Sequence, residues 1–136
     1  MKFSAHHTAI SAVDLEESIS FYEKFGFRVA LRWKDPEGKS EIVHLKLGGY
    51  FLEIFWYRDQ VSAPDTASEL STDLPRIGVK HFALQVESVE DARDFVRQAG
   101  IASDVDVREG KTGVVYFFIK DPSGILVEVL EDKRGL

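Results

Sequence analysis

His7-Thr8-Ala9-Ile10-Ser11-Ala12-Val13-Asp14-Leu15 and His81-Phe82-Ala83-Leu84-Gln85-Val86 are two renderings of one pattern, each followed by a stretch of helical periodicity. An offset of 74 relates His7 to His81, Phe21 to Phe95 and Gly26 to Gly100. An offset of 75 relates Gly49 to Gly124 and Glu53 to Glu128. A constant offset with one inserted residue is what tandem duplication leaves, and an internal repeat decides architecture before any other feature does.

Ala5 to Val13 is rich in small and β-compatible residues and predicts a strand. Leu15, Ile19, Tyr22 and Phe25 then recur at helical spacing. Asp14 can cap that helix with Glu17 as its capping-box partner, and Gly26 stops it. Phe27 to Trp33, Glu41 to Leu47 and Tyr50 to Tyr57 predict three further strands, with Asp35-Pro36-Glu37-Gly38 and Gly48-Gly49 as turns. Arg58 to Arg76 is polar, contains Pro64 and Pro75, and predicts a linker wrapping the surface. The order then recurs. Val79 to Glu87 predicts a strand, and Ser88 to Ala99 a helix with Val89, Ala92, Phe95, Val96 and Ala99 on its apolar side. Gly100 stops that helix. Ile101 to Val107, Gly113 to Lys120 and Ile125 to Leu130 predict strands, the last two joined by Asp121-Pro122-Ser123-Gly124. The expected fold class is α+β: two tandem βαβββ modules forming a curved mixed sheet around a shared cavity. We expect one domain over 1–136, with module one at 1–57, a linker at 58–77 and module two at 78–136.

Composition excludes several functions. The net charge of −6 disfavours binding to nucleic acid or an anionic membrane, since both need a cationic surface. With no cysteine there is no thiol nucleophile, disulfide or zinc-thiolate site. The apolar run Tyr50 to Tyr57 is interrupted by Glu53 and falls far short of the ~20 residues that span a bilayer. Met1 to His7 lacks the apolar segment of a signal peptide. The expectation is a soluble, cytoplasmic protein.

Alternation along strands decides where the polar residues point. Glu53 shares a face with Phe51, Phe55 and Tyr57; the opposite face carries Tyr50, Leu52, Ile54 and Trp56. One face must pack on a helix, and an unpaired carboxylate buried there costs several kcal/mol. Glu53 therefore belongs on the cavity side, and so does Glu128, between Val127 and Val129. By the same rule His7 shares a face with Ala9 and Ser11, and His81 with Ala83 and Gln85. Two imidazoles and two carboxylates turned into one cavity suit a divalent ion: Zn, Ni, Co, Mn or Fe(II). Any one of the four, taken alone, reads more readily as a satisfied structural residue; recurrence at repeat-related positions is what favours ligands. His44, between Val43 and Leu45, reaches the same side if those two pack on the helix, and is a candidate proton carrier. His6 should point away from His7. Phe51, Phe55, Tyr57, Trp33 and Tyr116 read either as core or as a surface for stacking a substrate.

These segments, together with Phe21-Tyr22, Phe51-Leu52-Glu53-Ile54-Phe55 and Asp121-Pro122-Ser123-Gly124-Ile125-Leu126-Val127-Glu128-Val129, resemble the vicinal oxygen chelate superfamily. That group includes glyoxalase I, extradiol dioxygenases, methylmalonyl-CoA epimerase, fosfomycin-resistance transferases and bleomycin-binding proteins. The resemblance covers nearly the whole chain. It implies the paired βαβββ fold, a metal held by His7, Glu53, His81 and Glu128, and a homodimer. The His-Glu-His-Glu set looks most like glyoxalase I, a lactoylglutathione lyase. Ser11 and Ala12 stand where glyoxalase I usually carries an Arg that helps hold the glutathione part of its substrate.

Three functions are compatible with this pattern. The first is a metal-dependent lyase or isomerase whose small substrate is chelated through adjacent oxygens, with Glu128 or Glu53 moving a proton. The second is an extradiol-type dioxygenase, which would use two His and one Glu. The third is a non-catalytic binding protein for a drug or metabolite.

Overall fold

The computed structural model describes residues 1–136. The chain divides into two compact units, Met1–Ala63 and Pro64–Leu136, and each repeats the same architecture. In the first, β1 (His7–Ser11) is followed by α1 (Leu15–Glu23), β2 (Arg28–Lys34), β3 (Ser40–Leu47) and β4 (Tyr50–Tyr57). These strands form a mixed sheet in the order β1-β4-β3-β2. β1 runs parallel to β4, while β3 pairs antiparallel with both β4 and β2.

Local chemistry accounts for the element ends. Asp14 is extended, and its Oδ1 accepts the Glu17 N–H at 2.9 Å, which starts α1. Gly26, at φ 93°, ends the turn that follows, a conformation costly for any residue with a Cβ. The Gly48-Gly49 turn pairs Leu47 with Tyr50 and so aligns β3 and β4. Val43, Leu45, Leu52 and Ile54 face the helical side with Tyr22 and Phe27, and all six are fully buried. Each such side chain stabilises the fold by about 1.5–3 kcal/mol relative to exposure. Glu41 is also buried on that side; Arg32 and Lys34 on the neighbouring strand neutralise it.

In the second unit a 3-10 turn (Asp65–Ser68) and a short helix, α2 (Leu70–Asp73), come first. Then follow β5 (Phe82–Val86), α3 (Val89–Gln98), β6 (Arg108–Glu109), β7 (Val115–Lys120) and β8 (Leu126–Glu131). The sheet order β5-β8-β7-β6 repeats that of the first unit, with β5 parallel to β8. Phe82, Phe117, Ile119, Val127 and Val129 form the core with Val89 and Val96 of α3. The α+β class and the two βαβββ modules are therefore as expected from the repeat.

Four local expectations are corrected. Arg58 to Arg76 is not all linker: Ser68 and Thr72 hydroxyls close its short helical turns onto neighbouring carbonyls. Ile101 to Val107 is not a strand. Its backbone is satisfied locally, with Ile101 and Ala102 N–H groups bonded to the Val96 carbonyl and Val105 N–H to the Asp104 side chain; only Arg108–Glu109 pairs with β7. Phe95 is exposed, because the apolar stripe of α3 narrows to Val89 and Val96. The first strand of each unit is shorter than predicted, beginning at His7 and Phe82.

Candidate metal centre

Within the first unit, Ala9, Glu53 and His44 are neighbours across β1, β4 and β3. His7 lies two residues before Ala9 on the same face. Its Nε2 is 3.5 Å from Glu53 Oε2, while the other carboxylate oxygen, Oε1, lies 2.8 Å from His44 Nε2. An ionised carboxylate only accepts, so the His44 Nε2–H donates. Leu52 and Ile54, fully buried on the helical side, leave Glu53 no other direction; its side chain keeps 18% of its accessible surface.

The surroundings are aromatic and rich in histidine. Phe51 meets the His44 ring edge-on at 6.2 Å and stacks on His6 at 5.2 Å, with Lys46 Nζ 5.5 Å from its ring centre. His6 does not point away from His7. It precedes β1, so strand alternation does not govern it, and the two Nδ1 atoms stand 2.9 Å apart. Phe55 and Tyr57 follow Glu53 along the same face of β4, half-buried and exposed respectively. Trp33 pairs with Ile42, two positions along from the Leu31–His44 pairing, and is 46% exposed.

The second unit supplies the same pair on an otherwise different ground. His81 directly precedes β5, and its Nε2 is 3.1 Å from Glu128 Oε2. Ala83 is the β5 neighbour of Glu128, as Ala9 is the β1 neighbour of Glu53. On the other flank, however, Glu128 faces Phe118, where Glu53 faces His44. Phe118 meets His81 edge-on at 5.0 Å and Tyr116 at 5.5 Å, and His81 Nδ1 is buried without a hydrogen-bond partner. Phe118 was not among the residues picked out from sequence. Counting back from the 121–124 turn points to Phe117 instead; the observed register of the last two strands is what sets Phe118 opposite Glu128.

Each unit thus provides a His–Glu pair, and no group of three or more His, Asp or Glu side chains stands in metal-binding geometry. No helix is long and apolar enough to cross a membrane.

Known proteins resemble this chain over nearly its whole length. The chain is 32% identical over 130 residues to the uncharacterized protein YwkD of Bacillus subtilis, covering 94% of this chain and 96% of that one. It is 28% identical over 138 residues to the lactoylglutathione lyase of Escherichia coli O157:H7, covering 96% of each. The crystal structure of a glyoxalase family protein from Enterococcus faecalis superposes with a TM-score of 0.78 at 32% identity, over 94% of this chain and 97% of that one. Residues 4–129 match the family profile, and the chain belongs to the Glyoxalase/Bleomycin resistance protein/Dioxygenase superfamily.

Proposed function

We propose that the chain is a metal-dependent lyase or isomerase of the glyoxalase I type. It would act on a small substrate through two adjacent oxygens, with His7, Glu53, His81 and Glu128 as ligands of a divalent ion. The observation that carries this reading is the duplicated His–Glu pair, with nitrogen-to-oxygen separations of 3.5 and 3.1 Å. Two donors each about 2.1 Å from one ion and at right angles stand about 3 Å apart. The spacing within each pair is of that order. The donor types fit as well: imidazole nitrogen and carboxylate oxygen suit Zn, Ni, Co, Mn or Fe(II), and two carboxylates balance a 2+ charge.

When bound, the ion supplies Lewis-acid stabilisation of charge developing on the substrate oxygens. The remaining work falls to the chain. Glu128 takes a proton from the substrate carbon beside the carbonyl and returns it to the neighbouring carbon. Its surroundings suit that part, because Phe118 opposite it offers no hydrogen bond to break when the carboxylate moves. Glu53 is tied to His44 and suits a fixed position. Phe51, Phe55 and Tyr57 give the substrate skeleton an aromatic surface beside Glu53, and Tyr116 with Phe118 does so beside Glu128.

The Escherichia coli relative is named a lactoylglutathione lyase, so lactoylglutathione is the first substrate to assay. The working form is proposed to be a homodimer, which light scattering reports directly. Metal analysis of protein purified without chelator tests the central claim. A stoichiometric divalent ion, lost in His7→Ala, is expected. Protein that arrives metal-free and takes up neither Ni(II) nor Zn(II) overturns the reading.

A further inference from the structure

We infer that His44 is a positioning residue for Glu53: it ties one carboxylate oxygen so that the other is presented to the ion, and it thereby strengthens metal binding. This rests on the metal reading above and adds to it a residue outside the His-Glu-His-Glu set.

The backbone leaves His44 little choice of direction. Its neighbours Val43 and Leu45 are fully buried on the helical side, so the imidazole is turned to the face that carries Glu53. The hairpin through Gly48-Gly49 sets the two residues directly opposite each other. The ring is held on two sides, edge-on to Phe51 at 6.2 Å and within 20° of parallel to His7 at 6.4 Å.

The two oxygens of Glu53 are divided between partners. Oε1 accepts from His44 at 2.8 Å, and Oε2 is the one beside His7 Nε2 at 3.5 Å. A carboxylate with one oxygen engaged in this way offers a single, oriented donor. Fixing a ligand's direction in advance removes conformational freedom that binding would otherwise have to remove, and outer-shell hydrogen bonds of this kind typically change metal affinity about 10- to 100-fold.

The repeat supplies an internal control against a merely structural role. Phe118 occupies the corresponding position opposite Glu128 in a sheet of the same order. An apolar ring therefore satisfies the fold at this site, with a half-buried glutamate across from it. What histidine adds in the first unit is the hydrogen bond.

The test is a titration of metal-free wild type, His44→Phe and His44→Gln with Ni(II) against a chromogenic competing chelator, alongside melting temperatures of the metal-free proteins. His44→Phe copies the second unit and should weaken Ni(II) binding about 10- to 100-fold. His44→Gln can still donate from its amide and should stay within about threefold of wild type. The inference is overturned if His44→Phe binds as tightly as wild type, or if His44→Gln falls as far as His44→Phe. Wild type that takes up no Ni(II) fails the metal reading itself, whereas loss of the His44 effect alone, with wild type binding, fails only this inference. Should His44→Phe not fold, His44→Leu reports the same loss of the donor.

Discussion

His81 Nε2 lies 3.1 Å from Glu128 Oε2, although one residue precedes β5 and the other sits in the middle of β8. Parallel pairing of these strands brings them together by placing Ala83 beside Glu128. The flank of Glu128 that faces β7 is occupied by Phe118. The carboxylate thus has one polar neighbour and one apolar neighbour, and it differs in this from Glu53, which lies beside His7 and His44.

That difference leads to the first prediction. Glu128→Gln keeps the size and an oxygen ligand but cannot take a proton. It should lower turnover in the lyase assay by at least about 100-fold, while metal content stays near that of wild type. Steady-state rates with parallel metal analysis check this. Full activity in the variant would remove Glu128 from the proton transfer.

The two His–Glu pairs should matter alike for metal. His7→Ala and His81→Ala are each expected to weaken Ni(II) binding by more than the 10- to 100-fold typical of outer-shell changes, thus above about 100-fold. Competition titration measures both. Loss in only one of the two variants would confine the ion to one pair.

Acid should destabilise the protein through Glu41. Lys34 and Arg32 hold this buried carboxylate below its ordinary value of 4.5. A group whose folded value is depressed stabilises the fold above its unfolded value and loses that contribution as pH falls through the folded one. Urea midpoints should therefore hold steady from neutral pH down to about 5 and fall below about 4.5. Asp73, lowered by Arg76, works in the same direction. Glu41→Gln should cost about 1 kcal/mol at pH 7, the order of a partly exposed ion pair, and should flatten the acid limb. An unchanged acid limb in the variant would exclude Glu41 as its source.

Asp14 caps α1 through the Glu17 N–H at 2.9 Å. Asp14→Ala should therefore cost about 1 kcal/mol in urea unfolding, and Asp14→Ser only a few tenths. Equal losses in both variants would show that the cap hydrogen bond contributes nothing.

The repeat, the element order and the faces of the strands were legible because each depends on neighbours close in the chain. Alternation alone separates Leu52 and Ile54 from Glu53, and the two-residue Gly48-Gly49 turn sets His44 opposite Glu53 by counting. The same counting fails in the second unit. A four-residue turn at 121–124 would bring Phe117, not Phe118, opposite Glu128. The loop instead runs one residue longer, because Asp121 N–H bonds the Ile125 carbonyl and Asp121 Oδ1 accepts from Ser123 and Ile125 at 2.8 and 2.9 Å. A shift of one residue exchanges the two faces of a strand, so this loop decides which aromatic ring lies beside Glu128.

Residue type and spacing single out His7, Glu53, His81 and Glu128 as candidates, and backbone alternation with the burial of Leu52, Ile54, Val127 and Val129 sets the face of the two glutamates, since both act locally. The company each keeps was settled by tertiary structure. The parallel pairings of β1 with β4 and β5 with β8 close loops of dozens of residues that no local preference dictates. Those pairings bring each histidine to its glutamate, and the register of the adjoining hairpins makes one glutamate a hydrogen-bonded residue and leaves the other against a phenyl ring.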